Sequence, residues 1–170
     1  DQYQTKITRP KLGVMIEIPC VVYVLDELAS ECDFFSIGSN DLIQYLFAVD
    51  RSNPKVSKFF DPFNPAAVRC FKYIAQKTHD LNKPLAICGE LAGSPLGALL
   101  LLSLGYKNLS MNYSQIARVK YITRHVNLQD LMAIGEKALT LNSSVKIKSL
   151  YVEYATAHGL MGVIDPKNFR

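Results

Sequence analysis

Four short apolar runs, each closed by a turn and each followed by helically spaced apolar residues, constrain this chain more than any other feature. The first is Leu12-Gly13-Val14-Met15-Ile16-Glu17-Ile18, closed by Pro19; Val21, Val22, Leu25, Leu28, Ala29 and Cys32 then recur at intervals of three and four, the signature of one helix face. The second, Phe34-Phe35-Ser36-Ile37, ends at Gly38-Ser39-Asn40, and Asp41 opens a helical segment from Leu42 to Val49. A loop rich in Pro, Asn and Ser runs from Arg51 to Pro65, after which Val68, Phe71, Ile74, Ala75 and Thr78 resume helical spacing. The third run, Leu85-Ala86-Ile87-Cys88, is broken by Gly89. Pro95 then suits a first helical turn, and the apolar stretch Leu96 to Leu104 ends at Gly105, a C-terminal cap. The fourth is Leu109-Ser110-Met111-Asn112, followed by Ile116, Val119, Ile122, Thr123 and Val126.

Beyond this point the pattern is helical only. Leu128, Leu131, Met132, Gly135, Ala138 and Leu139 mark one helix; Ile147, Leu150, Tyr151, Tyr154 and Ala155 mark another, ended by Gly159. Strands alternating with helices imply parallel pairing, because each crossover helix returns the chain to the same end of the sheet. Four such units make half of an eight-stranded (β/α) barrel or nearly all of a small open α/β sheet, and the pattern alone leaves both open. The tyrosines at 151 and 154 read as core, and the Lys146/Lys148 pair as a solvated face.

Composition excludes several function classes. With 170 residues the chain holds one ordinary domain, and its 49% hydrophobic and 20% charged content is that of a globular protein. No apolar run approaches the ~20 residues of a membrane span. A net charge of +4 without a Lys/Arg block gives no nucleic-acid footprint. The start, Asp1-Gln2-Tyr3-Gln4, carries no signal layout and reads as cut from a longer chain. Cys20, Cys32, Cys70 and Cys88 form no CxxC pair, so zinc and redox motifs fail and a reduced, cytoplasmic protein is expected.

The polar groups are informative by position. In parallel α/β proteins the chemistry collects at the C-terminal ends of the strands. Here Glu17 ends the first run, Asn40 and Asp41 the second, Cys88 and Glu90 the third, and Asn112 the fourth. Glu17 lies in an apolar strand, where an unpaired carboxylate costs several kcal/mol, so it needs either a salt bridge or a ligand. Asp41 alone is explained as a helix N-cap. Together the two carboxylates suit Mg²⁺, a hard cation that takes one or two of them and completes its shell with water and substrate oxygens. Cys88 reads either as inert packing, or as a nucleophile or proton donor. His79, His125 and His158 all fall on helices or helix ends, which weakens any Cys-His or Ser-His-Asp arrangement. Arg51 is either solvated or a clamp for phosphate or carboxylate.

Three motifs carry a family resemblance. They are Gly13-Val14-Met15-Ile16-Glu17-Ile18-Pro19; the stretch from Asp33 to Leu42 with Gln44-Tyr45 and Ala48-Val49-Asp50-Arg51; and Cys88-Gly89-Glu90-Leu91-Ala92-Gly93. In this order they resemble the phosphoenolpyruvate-utilising enzymes, and among these enzyme I of the phosphoenolpyruvate phosphotransferase system, over a span from Arg9 to Arg124. Glu153-Tyr154 and Gly159-Leu160-Met161-Gly162 are similar to its nitrogen-branch form, which carries a sensory GAF domain upstream. Ser39 stands where many members have Thr, keeping the hydroxyl.

The resemblance implies an α/β fold that is the C-terminal half of a (β/α)8 barrel of TIM type, spanning residues 1–170, with a helical tail at 128–159. It implies Mg²⁺ held by Glu17 and Asp41, and substrate phosphate held by Asn40 and Arg51. Cys88 would be the proton donor to the enolate of pyruvate, with Glu90 a supporting group in the substrate site. The implied reaction passes the phosphoryl group of phosphoenolpyruvate to a histidine on an upstream domain and then to a histidine phosphocarrier protein. The first four strands, with their substrate-gripping arginines, and the domain bearing the acceptor histidine are absent from this sequence. The fragment is therefore expected to be unable to complete turnover. A homodimer formed through the tail from Leu128 onward is also implied. Two other readings stand beside it: an inactive dimerisation module made from half a barrel, and a different magnesium–enolate enzyme such as an aldolase or lyase.

Overall fold

The computed structural model describes residues 8–164; Asp1-Gln2-Tyr3-Gln4 and both ends of the 1–170 span lie outside them. Four strands, β1 (Gly13–Ile16), β2 (Phe34–Gly38), β3 (Leu85–Cys88) and β4 (Asn108–Ser110), form one sheet in the order β1-β2-β3-β4. Every pairing is parallel, with Ile16 beside Ile37 and Ile37 beside Ile87, and Cys88 beside both Gly38 and Ser110. The mixed α/β class with a parallel sheet is as the alternation predicts.

Between the strands lie α1 (Leu25–Glu31), α2 (Ser39–Leu46), α3 (Pro65–Asp80), the single turn α4 (Glu90–Gly93) and α5 (Pro95–Ser103). After β4 come α6 (Tyr113–His125), α7 (Leu128–Thr140) and α8 (Ser144–Ala157). Three of the expected boundaries move, each for a local reason. The first strand stops at Ile16 and not at Ile18, because Pro19, which has no N–H for a ladder, opens a 3-10 segment over Pro19–Val24 and leaves α1 short. Helix α2 begins at Ser39, directly after the strand, and ends before Ala48, whose φ of 51° is left-handed. The fourth strand ends at Ser110, since Asn112 is already the N-cap of α6, its Oδ1 accepting from the Ser114 N–H at 3.0 Å.

The sheet has one covered face. Val14, Ile16, Phe35, Ile37, Leu85, Ile87 and Leu109 alternate towards the helices and belong to, or pack against, the core. Helix α5 is apolar all round and buried on nearly every side, as such a helix must be. Helices α7 and α8 also turn their apolar residues inward: Leu131, Ala138, Ile147, Tyr151 and Ala155 are all within 1% of full burial. Tyr151 is core as expected, its hydroxyl 2.7 Å from Ser103 Oγ, and Tyr154 is buried beside it. The Lys pair divides. Lys146 is exposed as expected, whereas Lys148, with 39% of its side chain exposed, also pairs with Asp61 at 3.1 Å. No helix among the described residues is long and apolar enough to cross a membrane.

The opposite face carries Met15, Ser36, Ala86 and Asn108, partly or fully exposed, with Met15 at 48%. Glu17, Gly38 and Cys88 follow the same alternation at the C-terminal rim of that face.

Candidate active site

The site is built from three strand-end turns. Glu17 follows β1 and lies over the end of β2, in space that only a glycine leaves free: a Cβ on Gly38 would stand 2.8 Å from Glu17 Cγ and 2.9 Å from its Oε1. Asp41 is in the first turn of α2. The N-cap reading of Asp41 does not hold, because the cap position is Gly38 and no side chain bonds there. The ion pairs among the described residues are Lys72–Glu136, Lys77–Asp26 and Lys148–Asp61, so neither Glu17 nor Asp41 is neutralised by a protein cation.

The turn after β3 is locked to the turn after β2. Ser39 is fully buried, and its hydroxyl donates to the Cys88 carbonyl at 2.7 Å. Gly89 adopts φ 117° and ψ −178°, a conformation open essentially to glycine alone, and a Cβ there would stand 2.4 Å from Ser39 Oγ and 3.3 Å from Asn40 Oδ1. This close approach lets the Asn40 amide donate to the Glu90 carboxylate across the two turns. That bond, helped by the backbone N–H of Glu90 and by the charge of Arg51, holds the Glu90 carboxyl below the usual carboxylate range. Arg51 is exposed, in the turn that follows α2, and its backbone N–H donates to Gln44 Oε1 at 3.3 Å. The thiol of Cys88 donates to the Ile37 carbonyl at 3.3 Å.

The fold thus gathers Glu17, Asn40, Asp41, Cys88 and Glu90 at one end of the sheet, with the charge of Arg51 felt at Glu90. Asn112 is occupied as a cap, but it lines a cleft of about 730 Å³ between Cys88, Glu90, Ser110 and Arg118. Three residues matter more than sequence reasoning allowed. Gly38 makes room for Glu17, Gln44 holds the backbone of Arg51, and Ser39 joins the turns. All three stand in the motif that runs from Asp33 to Tyr45, but only the Ser39 hydroxyl is distinguished there as a chemical group. The histidines stand apart: His79 is in the last turn of α3, which leads into the opposite end of the sheet, and His125 and His158 stack on Tyr121 and Tyr154. All four cysteines are free.

The donor set fits a hard divalent cation. Two carboxylates without protein counter-charges share one rim, one of them in a cradle that a Cβ at position 38 would fill. The Glu90 carboxylate of the same rim accepts from the Asn40 amide. No group of three or more His, Cys, Asp or Glu side chains suited to a metal occurs among the described residues. Water and substrate would have to complete the shell.

An α/β domain with a parallel sheet and an acidic, thiol-bearing site at its strand ends is the class defined so far. The chain belongs to the family described as PEP-utilising enzyme, PEP-binding domain, whose model matches residues 1–128. It is 37% identical over 158 residues to a protein of Salmonella typhimurium named phosphoenolpyruvate-dependent phosphotransferase system, covering 93% of this chain and 21% of that protein. It is 38% identical over 144 residues to the phosphoenolpyruvate-protein phosphotransferase of Listeria monocytogenes, covering 85% of this chain and 25% of the relative. To multiphosphoryl transfer protein 1 of Escherichia coli it is 40% identical over 157 residues, which is 92% of this chain and 19% of that protein. The chain therefore spans about a fifth to a quarter of the length of the curated relatives it matches.

Proposed function

We propose that this chain supplies the phosphoenolpyruvate half-site of a phosphoenolpyruvate-protein phosphotransferase, on the C-terminal half of a (β/α)8 barrel. The observation that carries the reading is the rim itself: Glu17 cradled by Gly38, Asp41 in the first turn of α2, and Asn40, Glu90 and Cys88 tied together beside them. The half-barrel reading is supported by the strand order. With right-handed crossovers, parallel strands in the order β1-β2-β3-β4 put every helix on one face and leave the other for a barrel interior.

Glu17 and Asp41 would hold Mg²⁺, and the Lewis acidity it would supply there would stabilise charge on the substrate's enol oxygen. Arg51 offers a planar pair of donors to the phosphate, where charge spreads over the oxygens in the transition state. Asn40, already oriented by Glu90, keeps an amide oxygen and a second N–H for the same substrate. Departure of the phosphoryl group to a histidine on another domain leaves the enolate of pyruvate. Cys88, whose thiol donates to the Ile37 carbonyl, would give its proton to the methylene carbon. The phosphoryl group would pass onward to a histidine phosphocarrier protein in the cytoplasm. A homodimer would draw on Leu128, Met132 and Val145, the apolar side chains of α7 and α8 left exposed.

Calorimetric titration of phosphoenolpyruvate into the chain, with and without Mg²⁺ and beside Asp41→Ala, tests this. Heat that requires both Mg²⁺ and Asp41 is the expected result. Binding indifferent to either, or no binding at any substrate concentration up to tens of millimolar (about 10 Kd for a millimolar site), would refute the half-site.

A further inference from the structure

The segment that returns from α2 to α3, residues 47–64, carries Arg51, and its two ends are anchored differently. Near Arg51 the anchors belong to α2: Val49 N–H donates to the Gln44 carbonyl at 2.9 Å, and Arg51 N–H to the Gln44 side chain. The middle is exposed and held by its own turns, Asp50 Oδ1 accepting from Ser52 N–H at 2.8 Å and Asn53 Oδ1 from Lys55 N–H at 3.0 Å. The far end is held by α8. Asp61 Oδ1 accepts from Phe63 N–H at 3.0 Å and pairs with Lys148 Nζ at 3.1 Å. The Lys148 ammonium also stands 5.5 Å from the centre of the Phe63 ring, and that buried ring lies 6.3 Å from the Tyr151 ring at 60°. Lys148 and Tyr151 are three residues apart on one face of α8. Lys148 further shares a cavity of about 430 Å³ with Asn40 and Glu90, so the anchor borders the site.

We infer that α8 is a positioning element for the Arg51 segment and that the Lys148–Asp61 pair is its fastening. This rests on the proposed function for the part Arg51 plays. Lys148 touches no reacting group. It fixes where the segment turns back, and with it the span over which Arg51 can swing away from Asn40 and Glu90. The pair is three-point in geometry: one carboxylate oxygen takes a backbone N–H and the ammonium, and the ammonium also lies over the ring.

Hydrogen–deuterium exchange of the 170-residue chain tests the fastening without any ligand. Lys148→Met keeps the apolar stem and removes the charge. Exchange at amides 50–60 should quicken about three- to ten-fold, with β2 and α3 unchanged, and Lys148→Arg should restore it. Asp61→Asn, which keeps the acceptor for Phe63 N–H, should act like Lys148→Met. Unchanged exchange at 50–60 in both variants, or an equal rise throughout the chain, would overturn the inference. Affinity for phosphoenolpyruvate with Mg²⁺ should fall about three- to ten-fold in Lys148→Met and recover in Lys148→Arg. If the unsubstituted chain binds no phosphoenolpyruvate, the proposed function fails, while the exchange comparison still decides the role of Lys148.

Discussion

Gly89→Ala tests the idea that the turns after β2 and β3 are held in register by close contact at a residue without a side chain. The residue sits at φ 117° and ψ −178°, and placing a side chain in that region costs of the order of 1–3 kcal/mol. The new methyl would also meet Ser39 Oγ, the fully buried donor that bonds the Cys88 carbonyl at 2.7 Å. Displacing that hydroxyl forfeits about 1 kcal/mol more. Urea denaturation should therefore show Gly89→Ala destabilised by about 2–4 kcal/mol, with an unchanged m-value. Ser39→Ala alone should cost about 1 kcal/mol. In the double variant the methyl finds its space vacated, so Gly89→Ala should cost about 1 kcal/mol less than it does beside Ser39. A loss below about 1 kcal/mol would refute the strain argument, and strict additivity would refute the steric one.

Gly38→Ala should leave the fold near its normal stability, because φ is −81° there. It should displace the Glu17 carboxylate and weaken Mg²⁺ binding about ten-fold or more, a large ligand effect beside a small stability change; isothermal titration with Mg²⁺ checks it. Asn40→Ala should raise the Glu90 pKa towards the ordinary range near 4.3, measured by carbonyl NMR. Because the folded pKa of Glu90 is depressed, the stability this bond contributes is present above the unfolded pKa and lost as pH falls through the folded one; Asn40→Ala should flatten that acid limb. At the alkaline end, burial pushes Tyr151 up to about 12, with the Ser103 bond opposing the rise. The unfolded chain gives up that proton near pH 10, so stability should fall progressively between about pH 10 and 12. Tyr151→Phe should reduce this alkaline loss, as followed by pH-jump unfolding, while Tyr106, which burial also raises, keeps its own share.

How much could be read in the sequence depended on whether the signal was local. The four runs and their helices were legible because burial on one face imposes periods of two and three to four, and β1 to β4 lie where those periods change. The gathering of Glu17, Asn40, Asp41, Cys88 and Glu90 was legible for the same reason: parallel topology sends every strand end to one rim. Caps were less legible. Asp41 after Gly38-Ser39-Asn40 fits an N-cap by type, yet β2 hands over to α2 at Ser39 without a loop, which puts Asp41 inside the first turn. The bond between Asn40 and Glu90, fifty residues apart, has no local signature, and it forms where Gly89 leaves room for the Ser39 and Asn40 side chains. Lys148 shows the same limit. Its neighbours in sequence describe a solvated helix face, and only the return of residues 61–63 beneath α8 gives the ammonium a partner.

The uncovered face of the sheet connects fold to chemistry. Parallel sheets are normally covered on both faces, because the strands are apolar on both. Here one side bears Ile16, Phe35, Ile37 and Ile87 at full burial, and the other Met15, Ser36, Ala86 and Asn108 facing water. That second side is mixed in polarity and small in its middle strands, which suits a crowded barrel interior better than a packing face for helices. Glu17 and Cys88 stand at the edge of the open side, so a substrate held by them is gripped from one direction only. Charge developing on such a substrate would be met partly by water, which weakens each electrostatic contact that this chain supplies. A second layer of strands over this face would dry the rim and strengthen the same contacts without altering any residue named here. On the proposed reading, binding can therefore precede turnover: the residues that would hold metal and phosphate lie at the ends of these strands, whereas the face of the sheet beside them is open to water.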